Sequence, residues 1–290
     1  MDEAARQDRR MLSDSMLLVR GVTLAILSVA LAAPLPAHSQ PRIVSLMPSL
    51  TEDLFAIGAG SQVVAVSQYT DYPPAAAALP AVASVNAVDA ERVFRLHPDV
   101  VVGIESQAPL LADLRRLGVR VVLVDDDSYG DIFQTLTVLG RLSDRAREAQ
   151  ALAASLRART AALERSVPRG AAPRVFVVLG VDPIFTAGNR SYLASLIALA
   201  GGRNAADLRE AYGRYSAEAL VAAQPDVIVT DRQSGLTSVL DRPPWNALRA
   251  VRERRVAVIP DADLLQRPGP RYNAGLAWLI AELHPHAAQR

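Results

Sequence analysis

From Arg42 onward, short runs of β-branched residues alternate with stretches in which apolar positions recur every three or four residues. That alternation predicts an α/β protein with parallel sheets, because each parallel strand needs a helical crossover to reach the next. Seven strands are expected: Ile43 to Leu46, Val63 to Val66, Val100 to Val102, Val121 to Val124, Val175 to Leu179, Val227 to Val229 and Val256 to Ile259. Between the fourth and fifth, Ser143 to Ser166 carries Ala149, Leu152, Leu156 and Leu163 at helical spacing, with arginines on its other faces. It predicts one long helix. Ser143 and Asp144 suit its N-terminus, Arg165 suits its C-terminus, and Pro168 with Gly170 stops it. About 23 residues at ~1.5 Å each give roughly 35 Å, enough to run the height of a lobe and join two of them.

The chain repeats itself. Asp89-Ala-Glu91, followed by Leu96-His-Pro98-Asp99-Val-Val-Val102, matches Ser216-Ala-Glu218, followed by Ala223-Gln-Pro225-Asp226-Val-Ile-Val229, at a constant offset of 127 residues. Each copy reads as an N-cap residue, a glutamate in the first helical turn, a helix stopped ahead of a proline, and an apolar strand. Arg120 to Val124 answers Arg255 to Ile259 at a similar offset. Two similar lobes follow, with the long helix between them.

At the N-terminus, Arg20 precedes the apolar run Val22 to Pro34, which ends in Ala37-His38-Ser39. This is the pattern of a cleaved export signal, while the polar stretch Met1 to Ser15 does not fit it and places the start of translation at Met11 or Met16. The expected organisation is a signal peptide over 1–39, an N-terminal lobe over 40–142, the linking helix over 143–167 and a C-terminal lobe over 168–290. The mature chain is expected in the periplasm.

Composition removes several functions. Thirty-one basic residues against 30 acidic ones imply no dense basic surface for nucleic acid. The absence of cysteine excludes disulfides, thiolate metal sites and a lipid-modified cysteine. Four histidines, at 38, 97, 284 and 286, offer no convincing general base, so no enzyme is expected. Gly58-Ala-Gly60 lies between a helix and a strand, whereas a nucleotide fingerprint follows a strand and opens a helix. The run Asp125-Asp126-Asp127 follows a strand and suits either a hard cation or a solvated turn. A turn is expected, with no metal and no cofactor.

The blocks Arg42-Ile-Val-Ser-Leu-Met-Pro48-Ser-Leu-Thr51-Glu52, Tyr69-Thr-Asp71-Tyr72-Pro73-Pro74, Asp182-Pro183-Ile-Phe185-Thr-Ala-Gly188 and Gly201-Gly202-Arg-Asn204, with the two Pro-Asp strands, resemble those of the periplasmic cobalamin-binding proteins. These belong to the helical-backbone receptors for siderophores, haem and corrinoids. The resemblance implies two Rossmann-like lobes with parallel central sheets joined by one backbone helix, and a monomer that carries a corrinoid such as cobalamin to the permease dimer of an ABC importer. A haem or iron-siderophore ligand stays open on the same fold. Carried over singly, Tyr69 faces the ligand from the first lobe, Phe185 and Tyr212 line the second, and Asp263 sits on its rim. Glu91 and Glu218 become the lobe-tip glutamates that meet permease arginines. The chain departs from the pattern at Val85 and Ile104, where the cobalamin proteins carry tryptophan, and at Leu264 and Leu265, which replace aromatics.

Overall fold

The computed structural model describes residues 40–285 apart from positions 85 and 171. The expected export signal therefore lies outside the described residues, as does Val85. All seven expected strands form. In the first lobe β1 (Ile43–Ser45), β2 (Val63–Ser67), β3 (Ala81–Ala83), β4 (Val100–Ile104) and β5 (Val121–Val124) make a parallel sheet in the order β3-β2-β1-β4-β5. In the second, β6 (Arg174–Val178), β9 (Arg203–Asn204), β11 (Val227–Thr230) and β12 (Val256–Val258) are parallel in the order β12-β11-β6-β9. Between them in sequence, β7 (Gly180–Val181), β8 (Ile184–Ala187) and β10 (Tyr212–Arg214) build a small antiparallel sheet.

The repeat has a structural meaning that its motifs explain. In both sheets the Pro-Asp strand lies beside the first strand of its lobe, β4 beside β1 and β11 beside β6. The Asp99 carboxylate accepts the Arg42 backbone N–H at 2.7 Å while Asp99 N–H donates to Arg42 O at 2.9 Å. Asp226 does the same with Arg174, at 2.8 Å each way. Each aspartate thus satisfies a backbone donor at a strand entrance and sets the register there. The N-caps also correspond. Asp89 accepts from Arg92 N–H and Ser216 from Ala219 N–H, opening the helices Ala90–Arg95 and Ala217–Ala223.

The linking helix differs from expectation at its start. Ser143 closes the preceding helix, Tyr129–Leu142, with its buried hydroxyl donating to Leu139 O at 2.7 Å, and Asp144 turns the chain at φ 56°. The helix begins at Ala146 and ends at Ser166, so its 21 residues rise about 32 Å. Close packing explains the break: a Cβ on Gly140 would lie 2.6 Å from that of Ala149, so only glycine lets the two helices meet there. The apolar spacing beyond the turn is unaffected, with Ala149, Ala153 and Leu156 buried.

Alternation along the strands sorts the core into layers. Ile43, Val100 and Val102 of the first lobe and Val175, Val177, Val227 and Val229 of the second belong to one continuous apolar cluster. Their neighbours point outward, Val44 and Val101 into a separate cluster of the first lobe and Phe176, Val178 and Ile228 into one of the second. The lobes therefore share a core across the linking helix. Thr160 of that helix bonds Tyr272 Oη at 2.6 Å and Asn273 Oδ1 at 3.0 Å, which ties it to the last helix, Tyr272–Leu283.

Candidate functional site

Parallel strands place the loops at their C-terminal ends around a crevice. Here the ends of β1, β2 and β5 supply Met47, Gln68, Tyr69, Asp71 and Asp126 from the first lobe. Those of β11 and β12 supply Gln233, Asp261 and Asp263 from the second, and Arg267 follows, around a cavity of about 720 Å³. A second cavity of about 450 Å³ lies between Glu105 and Asp125–Asp127 on one side and Ala211 and Tyr212 on the other. Asp126 is in the wall of both, so the two form one cleft.

The base of the cleft is an ion-pair network. Glu52, on the helix Pro48–Ala56 that follows β1, has a side chain only 1 % exposed. Its carboxylate accepts from Arg271 Nε at 2.7 Å and Nη2 at 2.8 Å, and from Arg267 Nη1 at 2.9 Å. Arg267 also donates to Asp71 at 2.8 Å and to the backbone oxygen of Tyr69 at 3.1 Å, and pairs with Asp263 at 2.9 Å. Arg271 lies 4.2 Å over the Tyr72 ring. One lobe supplies the glutamate and the other both arginines, so the network fixes the lobes to each other and holds the Tyr69–Asp71 loop at the cavity. Burial raises and the Arg267 hydrogen bond lowers the Asp71 carboxyl, which ends below its ordinary value. For Asp263 burial wins over Arg267 and the carboxyl is raised.

Beside Glu52, Asp53 is fully buried with no hydrogen-bond partner on either oxygen among the described residues. Burial, reinforced by the Glu52 charge, pushes its carboxyl well above the usual range. In the cleft, burial pushes Asp126 up to about 6, with Asp127, Asp131 and Asp125 adding to the rise. Among the described residues no group of three or more histidine, aspartate or glutamate side chains is arranged to hold a metal ion.

The residues named from sequence are distributed unevenly. Tyr69 is 55 % exposed and lines the larger cavity, which Asp263 also lines; Tyr212 lines the smaller. Phe185 borders neither, but Arg214 is its register partner on β10, which puts it on the same face of the small sheet as Tyr212. Glu91 and Glu218 are exposed and lie outside both cavities. Ile104 lines the smaller cavity, whereas Leu265 is core. Sequence reading missed the arginines and Glu52, although Glu52 lies inside a quoted block; its signal is an acid on a helix whose neighbours at 50 and 54 are core leucines.

The family model described as periplasmic binding protein matches residues 43–262. A vitamin B12-binding protein of Salmonella choleraesuis is 31% identical over 258 residues, 88% of this chain and 94% of that one. An uncharacterised ABC transporter substrate-binding lipoprotein of Bacillus subtilis is 30% identical over 253 residues, 84% and 80% of the two chains. Among solved structures, the periplasmic vitamin B12 binding protein BtuF of Vibrio cholerae has a TM-score of 0.77 at 30% identity, covering 87% of this chain and 99% of that one. A periplasmic haem-binding protein of Pseudomonas aeruginosa has a TM-score of 0.74 at 31% identity, covering 85% and 94%.

Proposed function

The chain belongs to the periplasmic binding protein family, and on that premise we propose that it captures a corrinoid in the cleft between its lobes and delivers it to the permease of an ABC importer. The observation that carries the reading is the cavity itself. About 720 Å³ of space at the strand ends of both lobes, joined to a second compartment through Asp126, suits one bulky ligand gripped from two sides. The exposed Tyr69 ring offers that ligand a flat apolar face, and Tyr212 offers it another from the small sheet, with Phe185 exposed on the same sheet face outside the two cavities. The vitamin B12-binding relatives support a corrinoid over other bulky chelates.

A second reading, haem or a ferric siderophore in the same cleft, is supported by the similarity to the haem-binding protein of Pseudomonas aeruginosa. Delivery would use Glu91 and Glu218 as matched contacts for a two-fold symmetric permease, since they occupy equivalent first helical turns of the two lobes. Export by the 1–39 segment and a monomeric mature chain belong to the same proposal.

Titrating the purified protein with aquocobalamin, cyanocobalamin, haemin and a ferric siderophore tests it, with the ligand's visible absorption as readout. Saturable binding of a corrinoid is expected, and haemin binding without corrinoid binding would replace the first reading by the second. Tyr69→Ala is expected to weaken the corrinoid by about 1 to 3 kcal/mol. Unchanged affinity for every ligand would move Tyr69 out of the site.

A further inference from the structure

The walls of the cleft are acidic, and its arginine is already engaged. The chain contains no lysine, so every basic side chain that could meet a ligand's anionic group is an arginine. Among the described residues lining the two cavities, Arg267 is the only one. Its Nη1 and Nη2 are taken by Glu52, Asp71, Asp263 and the Tyr69 backbone. The Glu52 side chain that holds it is almost fully buried, so turning the guanidinium toward a ligand would leave that buried carboxylate with Arg271 as its one remaining partner among the described residues. Opposite it, Glu105, Asp125, Asp126 and Asp127 line the smaller compartment and form no ion pair among the described residues.

A ligand entering this cleft meets acceptors and negative potential, with no unengaged cation among the described residues that line the two cavities. Carboxylates and phosphates are repelled, whereas positive charge and amide N–H groups are attracted. We infer that the cleft is a charge filter, selecting a cationic chelate free of phosphate and carboxylate over an anionic one of similar size. Applied to the corrinoid reading, on which this specific form rests, the filter favours a corrinoid lacking the nucleotide and its phosphodiester over the complete vitamin.

The test compares aquocyanocobinamide, which is cationic and has no phosphate, with cyanocobalamin, haemin and the cationic ferric hydroxamate ferrioxamine B at pH 8, in low and in high salt. Aquocyanocobinamide is expected to bind about tenfold tighter than cyanocobalamin at low salt, the scale for one charge meeting two carboxylates through a partly wet medium. The advantage should shrink severalfold in 0.5 M salt, where the screening length is only a few ångströms. The double substitution Asp126→Asn with Asp127→Asn should erase the difference between the two corrinoids. Equal binding of both corrinoids at both salt concentrations overturns the filter and leaves the corrinoid reading standing. Tight ferrioxamine B binding without corrinoid binding supports the filter and overturns the corrinoid reading. Tight haemin binding without either overturns both.

Discussion

The two lobes are alike where they are framework and unlike where they face the cleft. Strands β1-β4-β5 correspond to β6-β11-β12, with Asp99 and Asp226 closing the same strand entrance and Asp89 and Ser216 capping the same helix. At the cleft the correspondence ends. The first lobe presents Tyr69 and a wall of carboxylates, while the second inserts an antiparallel sheet carrying Phe185 and Tyr212 and reaches back with Arg267 and Arg271 to Glu52. Backbone register tolerates duplication because it depends on local hydrogen bonds. The cleft walls come from loops at the strand ends, which no such local bond ties to one another.

The largest effect should come from the symmetric half of that contrast. Replacing both Glu91 and Glu218 with alanine is expected to abolish uptake in a reconstituted importer while leaving ligand affinity and Tm nearly unchanged, because both are exposed and outside the cavities. A double variant with full transport would refute matched docking, and one that only unfolds would reduce the glutamates to helix-dipole partners.

Next in size is the bond between the lobes. Glu52→Ala leaves two arginines without their buried partner and should cost about 3 to 5 kcal/mol in denaturant unfolding. A loss below 1 kcal/mol would mean that the shared apolar core alone joins the lobes.

The paired aspartates sharpen the comparison further. Asp99→Ala and Asp226→Ala each leave a strand-entrance N–H without its acceptor, at about 1 to 2 kcal/mol. Asp226 also pairs with Arg249, so its loss should be larger by a few tenths of a kcal/mol. The reverse order would show that the two entrances are not equivalent.

The acid wall yields a smaller, pH-dependent effect. Asp126 has its folded pKa raised from 3.8 to about 6, so the fold carries a penalty that is complete above pH 6 and fades as pH falls toward 4. Allowing for partial exposure, Asp126→Asn should stabilise the protein by about 1 kcal/mol at pH 8 and by nothing measurable at pH 4. Equal effects at both pH values would place the carboxyl in ordinary solvent. Smallest of all should be the ligand-dependent change in radius of gyration, because a 21-residue helix, a common core and the Glu52 network all oppose hinge bending. Small-angle scattering with a large contraction on ligand binding would contradict this.

What the linear chain determined by itself is what depends on neighbours in sequence. Short β-branched runs located all seven expected strands, and the Asp-x-Glu and Ser-x-Glu openings marked two helix starts, because strand preference and capping are local. The repeat exposed the two lobes for the same reason. The C-terminal end of the linking helix was legible too, while its beginning was not, since Asp144 adopts a left-handed backbone that spacing does not signal and Gly140 acts only through Ala149 on the opposite helix. The two-residue pairings at β7 and β9 are too short to leave a period. The cleft belongs to tertiary structure above all. Tyr69, Asp126 and Asp263 meet there because separate strand ends converge. Arg267 and Arg271 find Glu52 across 215 and 219 residues, a distance over which no sequence pattern reports the electrostatic cost of a buried carboxylate or the partners that offset it.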